Sequence, residues 1–494
     1  MTDTSETPFR PEARSPRGFA DKRSQQIAIE RRLITTVSRV YEDFGFEALQ
    51  TPAFEYADAL GKFLPDSDRP NVGVFAQQDD DEQWMALRYD LTAPLARFAA
   101  QNWETLPKPF RRYAFGPVWR NEKPGPGRLR EFMQCDADIV GTDRPEADAE
   151  MIALAVAGYK ALDVPALLKV NNRRLLNGLL GDLGLASAAQ TLGVLRAIDK
   201  LDRLGPKGVE LLLGAGRKDD SGDFTKGAGL DTGAIDAVMA FLDAGRDDDG
   251  RMRGRSHVLD DLSSVLVNSA EGMAAIEELS RIDTVLTAMG VADEDAIFDP
   301  TVVRGLEYYT GPVFEAELLL ETRDDKGNVV SMGSVGGGGR YDDLVARFTG
   351  ERVPATGFSF GVSRLAAALT LAQGAAKAAR GPVVIINFSD NDMGAYFRLA
   401  ADIRAAGMAV EVYLGRSGMK AQMKYADRRL SPAAVMLGGD ELANDTVTIK
   451  DLDLGREIAM QISDNKAWRE GRPGQVTLPR DQAIKHLKSI MESN

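Results

Sequence analysis

Cysteine and histidine are nearly absent from this sequence: there is one cysteine, Cys135, and there are two histidines, His257 and His486. A single cysteine excludes an internal disulfide, and so few thiols and imidazoles leave little from which to build a zinc site. Cysteine proteases and zinc hydrolases are therefore poor hypotheses, and we expect no metal site built from protein ligands alone.

Long apolar runs are also lacking, because no stretch approaches the ~20 residues that a membrane helix needs. The first residues, MTDTSETPFRPEARSPRG, are polar and lack the apolar centre of a secretion signal. We therefore expect a cytoplasmic protein without a membrane anchor, with residues 1–15 as a flexible tail. The length of 494 residues, with 44% hydrophobic and 27% charged residues, is typical of a globular protein of two or three domains.

Basic residues are too few to balance the acidic ones, and the net charge of −14 argues against a protein that coats nucleic acid indiscriminately. The imbalance is uneven. Of the 60 Lys and Arg and the 74 Asp and Glu residues, 16 and 15 lie from Arg380 onward, which leaves 44 and 59 before it. The C-terminal part is nearly neutral, whereas the rest is strongly acidic.

The most informative segment that is present spans residues 110–142. An aromatic run to Arg120, a Pro/Gly cluster at 124–127 and a second, alternating run predict two strands joined by a loop. One face of the second strand is predicted to carry Phe132, Gln134, Asp136 and Asp138. The opposite face is predicted to be apolar, with Met133, Cys135, Ala137 and Ile139. Arg120 and Glu122 are expected to share a face of the first strand. Because buried charges are costly unless paired, this surface predicts a ligand with both anionic and cationic groups.

Residues 84–98, WMALRYDLTAPLARF, alternate in the same way. If they form a strand, Asp90 and Thr92 project together, and a carboxylate beside a hydroxyl can hold an ammonium group. A half-exposed strand with a solvated polar face explains the same pattern equally well.

The remaining chain adds further segments. An amphipathic helix is predicted over Ser24 to Phe44, followed by an edge strand containing Pro52. Residues 176–282 are rich in Ala, Leu and Gly and predict an inserted helical subdomain without recognisable chemistry. Four consecutive glycines, 336–339, fit neither a P-loop nor a dinucleotide fingerprint, and indicate close approach of the backbone to a ligand or another strand.

Two sets of basic residues have more than one interpretation. Arg364 lies early in a predicted helix, where an arginine can anchor phosphate oxygens, although such a residue alone is more often a surface charge. From about Gly381 strands and helices alternate, which predicts a small α/β domain. Within it, basic residues recur every fourth position on one predicted helical face: Arg416, Lys420, Lys424 and Arg428. Taken by itself, such a row is usually a solvated face.

Several of these segments resemble class II aminoacyl-tRNA synthetases. WRNE and REF, with Arg120, Glu122 and Phe132, resemble motif 2; GFSFGVSRL, with Arg364, resembles motif 3; and Pro52 after the long helix resembles motif 1. RGLEYYTGPVFEA and GGGGRYDDL closely resemble two peptides peculiar to the histidyl-tRNA synthetase family, and LRYDLTAPLAR and QCDADIVG are similar to its eukaryotic-like branch. The resemblance covers nearly the whole chain except the tail before Pro16 and most of the insertion.

The resemblance implies an α+β fold, with an antiparallel-sheet catalytic domain, a helical insertion and a C-terminal α/β anticodon-binding domain. The expected division is a flexible tail at 1–15, catalytic segments at 16–175 and 283–375, an insertion at 176–282 and an anticodon-binding domain at 380–494. The last stretch, from about Lys466, is expected to be an extension of that domain. The motif 1 resemblance implies a homodimer.

The implied reaction joins L-histidine and ATP, with Mg²⁺, to histidyl-adenylate and then transfers the histidyl group to tRNA(His). Catalysis is expected to rest on positioning and charge neutralisation by Arg120 and Arg304 rather than on a protein nucleophile. The residues implied to bind ATP are Arg120, Glu122, Arg128, Phe132 and Arg364. Those implied to bind histidine are Asp90, Thr92, Arg120, Gln134, Asp138, Arg304, Tyr308, Tyr309 and Tyr341. The basic row at 416–428 is implied to bind tRNA.

Two departures from the family pattern and one alternative remain open. Glu307 stands where the family has aspartate, and the loop EKPGPGRLREF differs from the common bacterial form. The alternative is a non-catalytic paralogue, the regulatory subunit of ATP phosphoribosyltransferase. Such subunits keep the fold but usually lack the C-terminal domain and intact ATP-binding residues, both of which are present here.

Overall fold

The computed structural model describes residues 10–63, 73–125, 128–185, 187–218, 222–303, 309–323, 327–330, 332–372, 380–461 and 474–492. The chain divides into two compact units, Met1–Gly374 and Ala375–Asn494. The predicted tail lies outside the described residues up to residue 9, as do Arg304, Glu307 and Tyr308.

The described strands of the first unit form one large sheet and two smaller ones. They are β1 (Glu47–Ala48), β2 (Phe54–Tyr56), β3 (Ala76–Gln78), β4 (Trp84–Leu87), β5 (Phe110–Trp119), β6 (Glu131–Val140), β7 (Ala166–Asn172), β8 (Gly216–Lys218), β9 (Phe224–Lys226), β10 (Ala296–Phe298), β11 (Pro312–Leu318), β12 (Ser334–Arg340) and β13 (Ala355–Phe360). The main sheet has eight strands in the order β1-β5-β6-β13-β12-β11-β7-β10, and a smaller one has the order β2-β4-β3. From β5 to β7 every neighbouring pair is antiparallel, whereas β1 and β10 pair in parallel at the edges. The predicted antiparallel catalytic sheet is confirmed.

Helices of the first unit cover one face of this sheet and form the insertion. They are α1 (Ser24–Asp43), α2 (Thr92–Asn102), α3 (Pro145–Ala161), α4 (Arg173–Asp182), α5 (Ala188–Ile198), α6 (Leu201–Leu213), α7 (Thr232–Asp243), α8 (Arg255–Val265), α9 (Ala270–Ala288), α10 (Ala346–Thr349) and α11 (Val362–Ala372), with a 3-10 helix at Ala57–Phe63. Helices α1, α3 and α11 pack against one another or against the sheet, and their apolar side chains share one core with it. The helix-covered face is therefore mainly apolar, although it includes the Arg111–Glu150 and Arg340–Asp148 ion pairs.

The predicted helical insertion is present as the segment from α4 to α9, between β7 and β10, with the two-stranded β8-β9 sheet inside it. Its last helix, α9, packs against α3 and α4, so the insertion shares the core of the first unit. The proposed limits at 176 and 282 fall within α4 and α9.

The second unit is a mixed α/β fold, as predicted. Its strands are β14 (Val383–Ile386), β15 (Val410–Val412), β16 (Ala433–Met436), β17 (Thr446–Asp451) and β18 (Gln475–Pro479). Its helices are α12 (Met393–Ala405), α13 (Met419–Arg428), α14 (Gly439–Asn444), α15 (Leu452–Gln461) and α16 (Ala483–Glu492), with 3-10 helices at Asp390–Asp392 and Arg480–Gln482.

The sheet of the second unit has the order β15-β14-β16-β17-β18, parallel at β15, β14 and β16 and antiparallel beyond. Strand β18 completes one edge of this sheet, and Leu487 and Ile490 of α16 are buried in its core. Residues 475–492 therefore belong to the fold of this unit, and the description of them as an extension is wrong.

Candidate functional site

The β5–β6 hairpin carries most of the site. The two strands pair from Phe110 opposite Val140 to Trp119 opposite Glu131. The apolar face is as predicted, because Cys135, Ala137 and Ile139 are fully buried in the core beneath α1 and α3. The other face carries Phe132, Gln134, Asp136 and Asp138.

Arg120 and Glu122 do not share a strand face, because β5 ends at Trp119. Beyond that point the chain turns toward another segment, and Asn121 N donates to Gly73 O at 3.1 Å. The two predicted residues are nevertheless brought together by a third one, Tyr89.

Tyr89 links Arg120 to Glu122. The guanidinium carbon of Arg120 lies 4.3 Å from the centroid of the Tyr89 ring and 5.1 Å from that of Phe132, so the cation sits against two aromatic faces. The Tyr89 hydroxyl donates to Oε1 of Glu122 at 3.0 Å. Burial and the Glu122 carboxylate raise the pKa of Tyr89 to about 12, against the opposing Arg120 charge. A planar cation, an acceptor and a ring are thus assembled at one end of β6.

The other predicted phosphate ligands are less tightly grouped. Arg364 lies in the first turn of α11, half-buried, with Nη1 donating to Ser334 O at 2.7 Å. Arg128 is exposed in the hairpin loop, where its main chain exchanges hydrogen bonds with Gly125. The structure therefore places both residues but shows a held guanidinium only for Arg364.

Asp90 and Thr92 lie close together, but not on a strand. Strand β4 ends at Leu87, and Thr92 is the first residue of α2. Oδ1 of Asp90 accepts hydrogen bonds from Thr92 N at 3.1 Å and Ala93 N at 2.8 Å. The strand predicted for residues 84–98 is confirmed only for Trp84–Leu87 and is wrong beyond it, because Asp90 satisfies free N–H groups at the start of a helix.

The same segment contains Arg88, which the alternation places on a polar face. Instead it is 5% exposed, with Nε donating to Pro117 O at 2.9 Å and Nη1 to Thr51 O at 2.9 Å. These main-chain contacts tie the segment to β5 and to the chain after β1. The strand ends at Leu87, immediately before Arg88, although the side-chain alternation predicts that it continues.

Polar side chains on the middle of β6 are held by neighbouring strands. Gln134 Nε2 donates to Ser359 Oγ at 2.8 Å. Asp138 has two partners, since the Tyr341 hydroxyl donates to Oδ1 and Arg112 Nη2 forms an ion pair with Oδ2 at 2.7 Å. Tyr341, predicted beside the substrate ring, thus contacts the carboxylate predicted to read that ring.

Negative charge is in excess on this face. Burial raises the pKa of Asp136 to about 7, with the Asp138 charge adding to the effect and Arg112 opposing it. Burial also raises the pKa of Asp138, against the lowering influence of Arg112 and Tyr341. Asp90 contributes a further carboxylate near both. Among the described residues, buried Arg88 and Arg112 lie beside these three carboxylates, whose mutual repulsion favours binding of a cationic group.

Small residues keep the floor of the site low. A Cβ atom at Gly357 would collide with Oδ1 of Asp138, and one at Gly116 would collide with Nη2 of Arg88. In the four-glycine run, a Cβ at Gly338 would collide with the Gly357 carbonyl. The predicted close approach of the glycine run to another strand is confirmed.

Of the three tyrosines predicted from the second half of the unit, Tyr341 contacts Asp138 and Tyr309 can also be placed. Tyr309 is half-buried, and its ring lies against Gly339. Tyr308 and Arg304 lie outside the described residues. Three residues that sequence reasoning did not assign to the site also lie in it: Tyr89, Arg112 and Ser359. Asp136 was predicted on the polar face of the second strand but was given no role.

The basic row in the second unit is partly helical. Lys420, Lys424 and Arg428 are exposed along α13, four residues apart, as predicted. Arg416 is exposed but precedes Gly418, the N-cap of the helix, so the prediction that it lies on the helical face is wrong.

Among the residues that the structure describes, no group of three or more His, Cys, Asp or Glu side chains is arranged to hold a metal ion. Within the same residues, every helix is too short or too polar to traverse a bilayer.

Comparison with known proteins gives consistent matches. A family model described as histidyl-tRNA synthetase matches residues 18–365, and one described as an anticodon binding domain matches residues 382–489. A histidine–tRNA ligase of Caulobacter vibrioides is 66% identical over 498 residues, covering 99% of this chain and 100% of that relative. One from Brucella suis is 50% identical over 490 residues, covering 97% and 96%. The crystal structure of histidyl-tRNA synthetase from Nostoc sp. matches with a TM-score of 0.71 at 27% identity, covering 97% of this chain and 100% of that one.

Proposed function

Because the chain belongs to the histidyl-tRNA synthetase family, we propose that its site activates L-histidine with ATP and transfers the histidyl group to tRNA(His). The chain is an aminoacyl-tRNA ligase, and ATP is a substrate of its family. One observation best supports separate binding regions for ATP and histidine. Strand β6 carries Phe132, next to Arg120, at one end and the buried acidic pair Asp136 and Asp138 toward the other.

The ATP half of the proposal uses the first of these ends. Phe132 stacks on the adenine ring and Glu122 accepts a hydrogen bond from the adenine amino group, while Arg120 neutralises the α-phosphate. The tight contact of Arg120 with Tyr89 and Phe132 supports this role, because a preorganised cation costs no reorganisation when charge develops. Arg364 and Arg128 take the outer phosphates.

The histidine half uses the acidic end. Asp90, Thr92 and Gln134 hold the ammonium group, while Asp138 and Tyr309 read the imidazole, with Tyr341 orienting Asp138. A neutral imidazole has one donor and one acceptor, so a carboxylate and a phenol can recognise it together. Arg304 and Tyr308 complete the proposed pocket. The excess of carboxylates over buried cations on this face supports an ammonium-bearing ligand.

The reaction requires no protein nucleophile. In the first step an oxygen of the histidine carboxylate attacks the α-phosphorus and pyrophosphate leaves. In the second, a hydroxyl of the terminal tRNA ribose attacks the acyl carbon and AMP leaves. Arg120 and Arg304 act by charge neutralisation and alignment of the reactants. Mg²⁺ enters with ATP, since magnesium is commonly held by substrate phosphates and waters rather than by a protein cage.

Binding of tRNA is assigned to the second unit. The exposed cations Lys420, Lys424 and Arg428 form one helical row, with Arg416 before it. Phosphates attract such a row, and local positive charge suits a chain whose overall charge is negative. The hairpin loop containing Arg128 is assigned to the acceptor end of the tRNA.

A homodimer in the cytoplasm is the proposed state. The side chains of Phe54 and Tyr56, on the strand after Pro52, are 40% and 56% exposed and lie on one face of β2. Exposed aromatic residues on a shared face are typical of subunit contacts. The regulatory-subunit alternative is less supported, because the matches to ligases extend over nearly the full length and include the anticodon-binding domain.

Amino-acid-dependent exchange of pyrophosphate into ATP tests this proposal. We expect exchange with L-histidine and none with the other amino acids. Exchange stimulated by another amino acid instead would contradict it, as would a protein that binds histidine but shows no exchange and no charging of tRNA.

A further inference from the structure

Arg112 is the largest fully buried side chain of the protein's described part and lies at the centre of the histidine half of the site. It is 1% exposed near the start of β5, opposite Asp138 in the hairpin. Its Nη2 atom donates to the carbonyl of Leu91 at 2.9 Å and lies 2.7 Å from Oδ2 of Asp138. One nitrogen therefore joins β6 to the turn before α2.

The two partners of Arg112 belong to opposite ends of the proposed histidine pocket. Leu91 stands between Asp90 and Thr92, which are assigned to the ammonium group. Asp138 is assigned to the imidazole. We propose that Arg112 is a positioning residue that holds the Asp138 carboxylate and the Asp90–Thr92 turn in one fixed arrangement. This inference rests on the histidine-activating function proposed above.

The charges around Asp138 support this role. Asp90 and Asp136 face it with like charge, Tyr341 donates to its Oδ1, and Arg112 supplies the neighbouring positive charge. Burial raises the pKa of Asp138, and the Arg112 charge opposes that rise more than the Tyr341 hydrogen bond does. Arg112 thus keeps Asp138 able to accept a hydrogen bond from a ligand N–H group.

A neighbouring arginine shows what a purely structural ion pair looks like here. Arg111 lies on the opposite face of β5, where its two terminal nitrogens contact Glu150 on α3 at 2.6 and 2.7 Å. That pair joins the sheet to a helix without contacting any assigned ligand residue. Arg111 is therefore a matched control, in the same strand and with the same chemistry.

The test uses histidine-dependent exchange by the full chain carrying Arg112→Met, Arg112→Lys or Arg111→Met. We expect Arg112→Met to raise the KM for histidine at least about tenfold while the KM for ATP changes less than about twofold. On the acid side of the pH profile, kcat/KM for histidine should begin to fall at a higher pH in this variant than in the wild type, because the pKa of Asp138 rises. Arg112→Lys should keep the wild-type pH profile, and Arg111→Met should leave both KM values unchanged.

A double-mutant cycle separates positioning from general loss of structure. In an Asp138→Asn background, Arg112→Met should raise the histidine KM by less than about threefold further, because the two residues act as a unit. This background also removes the unpaired buried carboxylate, so it gives the measurement if Arg112→Met alone does not fold. Independent, multiplying effects, or equal rises in both KM values, would overturn the inference. Wild-type protein without histidine-dependent exchange would instead overturn the proposed function.

Discussion

Gln134 and Ser359 orient each other across two strands: Gln134 Nε2 donates to Ser359 Oγ at 2.8 Å, joining β6 to β13. This bond turns the other end of the amide toward the site. Within the described residues, Oε1 of Gln134 is buried and accepts no hydrogen bond. Because a buried acceptor without a donor costs roughly 1–3 kcal/mol, the pair is prepared for a ligand N–H group.

Removing the Gln134 amide should weaken histidine binding specifically. Gln134→Leu keeps the size of the side chain but loses the acceptor, so we expect the histidine KM to rise by about tenfold to a hundredfold. Ser359→Ala removes the orienting partner of Gln134, together with a hydrogen bond that lowers the pKa of Asp136, and should raise the histidine KM by about threefold or less. The KM for ATP in the exchange assay should stay within about twofold for both variants. A larger effect of Ser359→Ala than of Gln134→Leu would contradict the assigned roles.

Replacing Arg120 with lysine should impair catalysis although the charge is kept. A lysine ammonium cannot lie flat between the rings of Tyr89 and Phe132, and it presents no planar fork to a phosphate. We expect Arg120→Lys to lower kcat for exchange at least about 10²-fold, the size of effect seen when one preorganised group is lost. Arg111→Lys is the control, since its Glu150 pair is remote from the assigned ligands. Normal exchange by Arg120→Lys would show that charge alone suffices.

Alternation along β6 was sufficient to predict both faces of the central strand. Apolar Cys135 and Ala137 are buried beneath helices, and polar Asp136 and Asp138 line the site. The register of the same hairpin also carries information about Arg112. Strand pairing that is symmetric about Gly125 places Arg112 opposite Asp138, so the buried ion pair could have been predicted from the register.

Other features depend on contacts that no local pattern encodes. The strand predicted through Asp90 stops at Leu87 because Arg88 is drawn to the main chain at Thr51 and Pro117, which are distant in sequence. The four-residue spacing that predicted a basic helical row could not show that the helix begins only after Gly418. Periodicity reports which face a residue prefers, whereas tertiary contacts decide where an element ends.

Asp136 should make stability depend on pH. Its pKa is raised to about 7 in the folded protein, whereas that of an unfolded aspartate is near 3.9. The folded state therefore binds the extra proton between these values, and the free energy of unfolding falls as pH rises through the window toward and past 7. Ionisation of Asp136 therefore lowers the free energy of unfolding by at most on the order of 4 kcal/mol at pH 8.

Thermal unfolding of the wild type and Asp136→Asn from pH 5 to pH 8 measures this contribution. Asp148, whose pKa is raised to about 6 by burial against the pull of Arg340, titrates in both proteins and cancels in the difference between the two curves. Asp138 is coupled to Asp136, so this difference measures Asp136 together with its coupling to Asp138. We expect the variant to be relatively more stable at pH 8 than at pH 5. Saturating histidine should make the stability of the wild type depend less steeply on pH, because the bound ammonium group favours the ionised Asp136 carboxylate. Parallel curves of stability against pH for the two proteins would refute a raised pKa for Asp136.

Charge reversal on α13 should impair tRNA charging without affecting amino-acid activation. Lys420→Glu with Lys424→Glu places two acidic groups on the exposed helical row, so the KM for tRNA should rise at least about tenfold. A plot of the logarithm of tRNA affinity against the logarithm of salt concentration should become less steep, its slope changing by roughly one for each phosphate contact that is lost. Lys485→Glu with Lys488→Glu changes the net charge equally, on exposed positions of α16, and should have little effect. Because histidine-dependent exchange needs no tRNA, it should remain at the wild-type rate in both double variants. An equal rise in the tRNA KM for the α16 pair would mean that net charge, rather than the α13 row, governs tRNA binding.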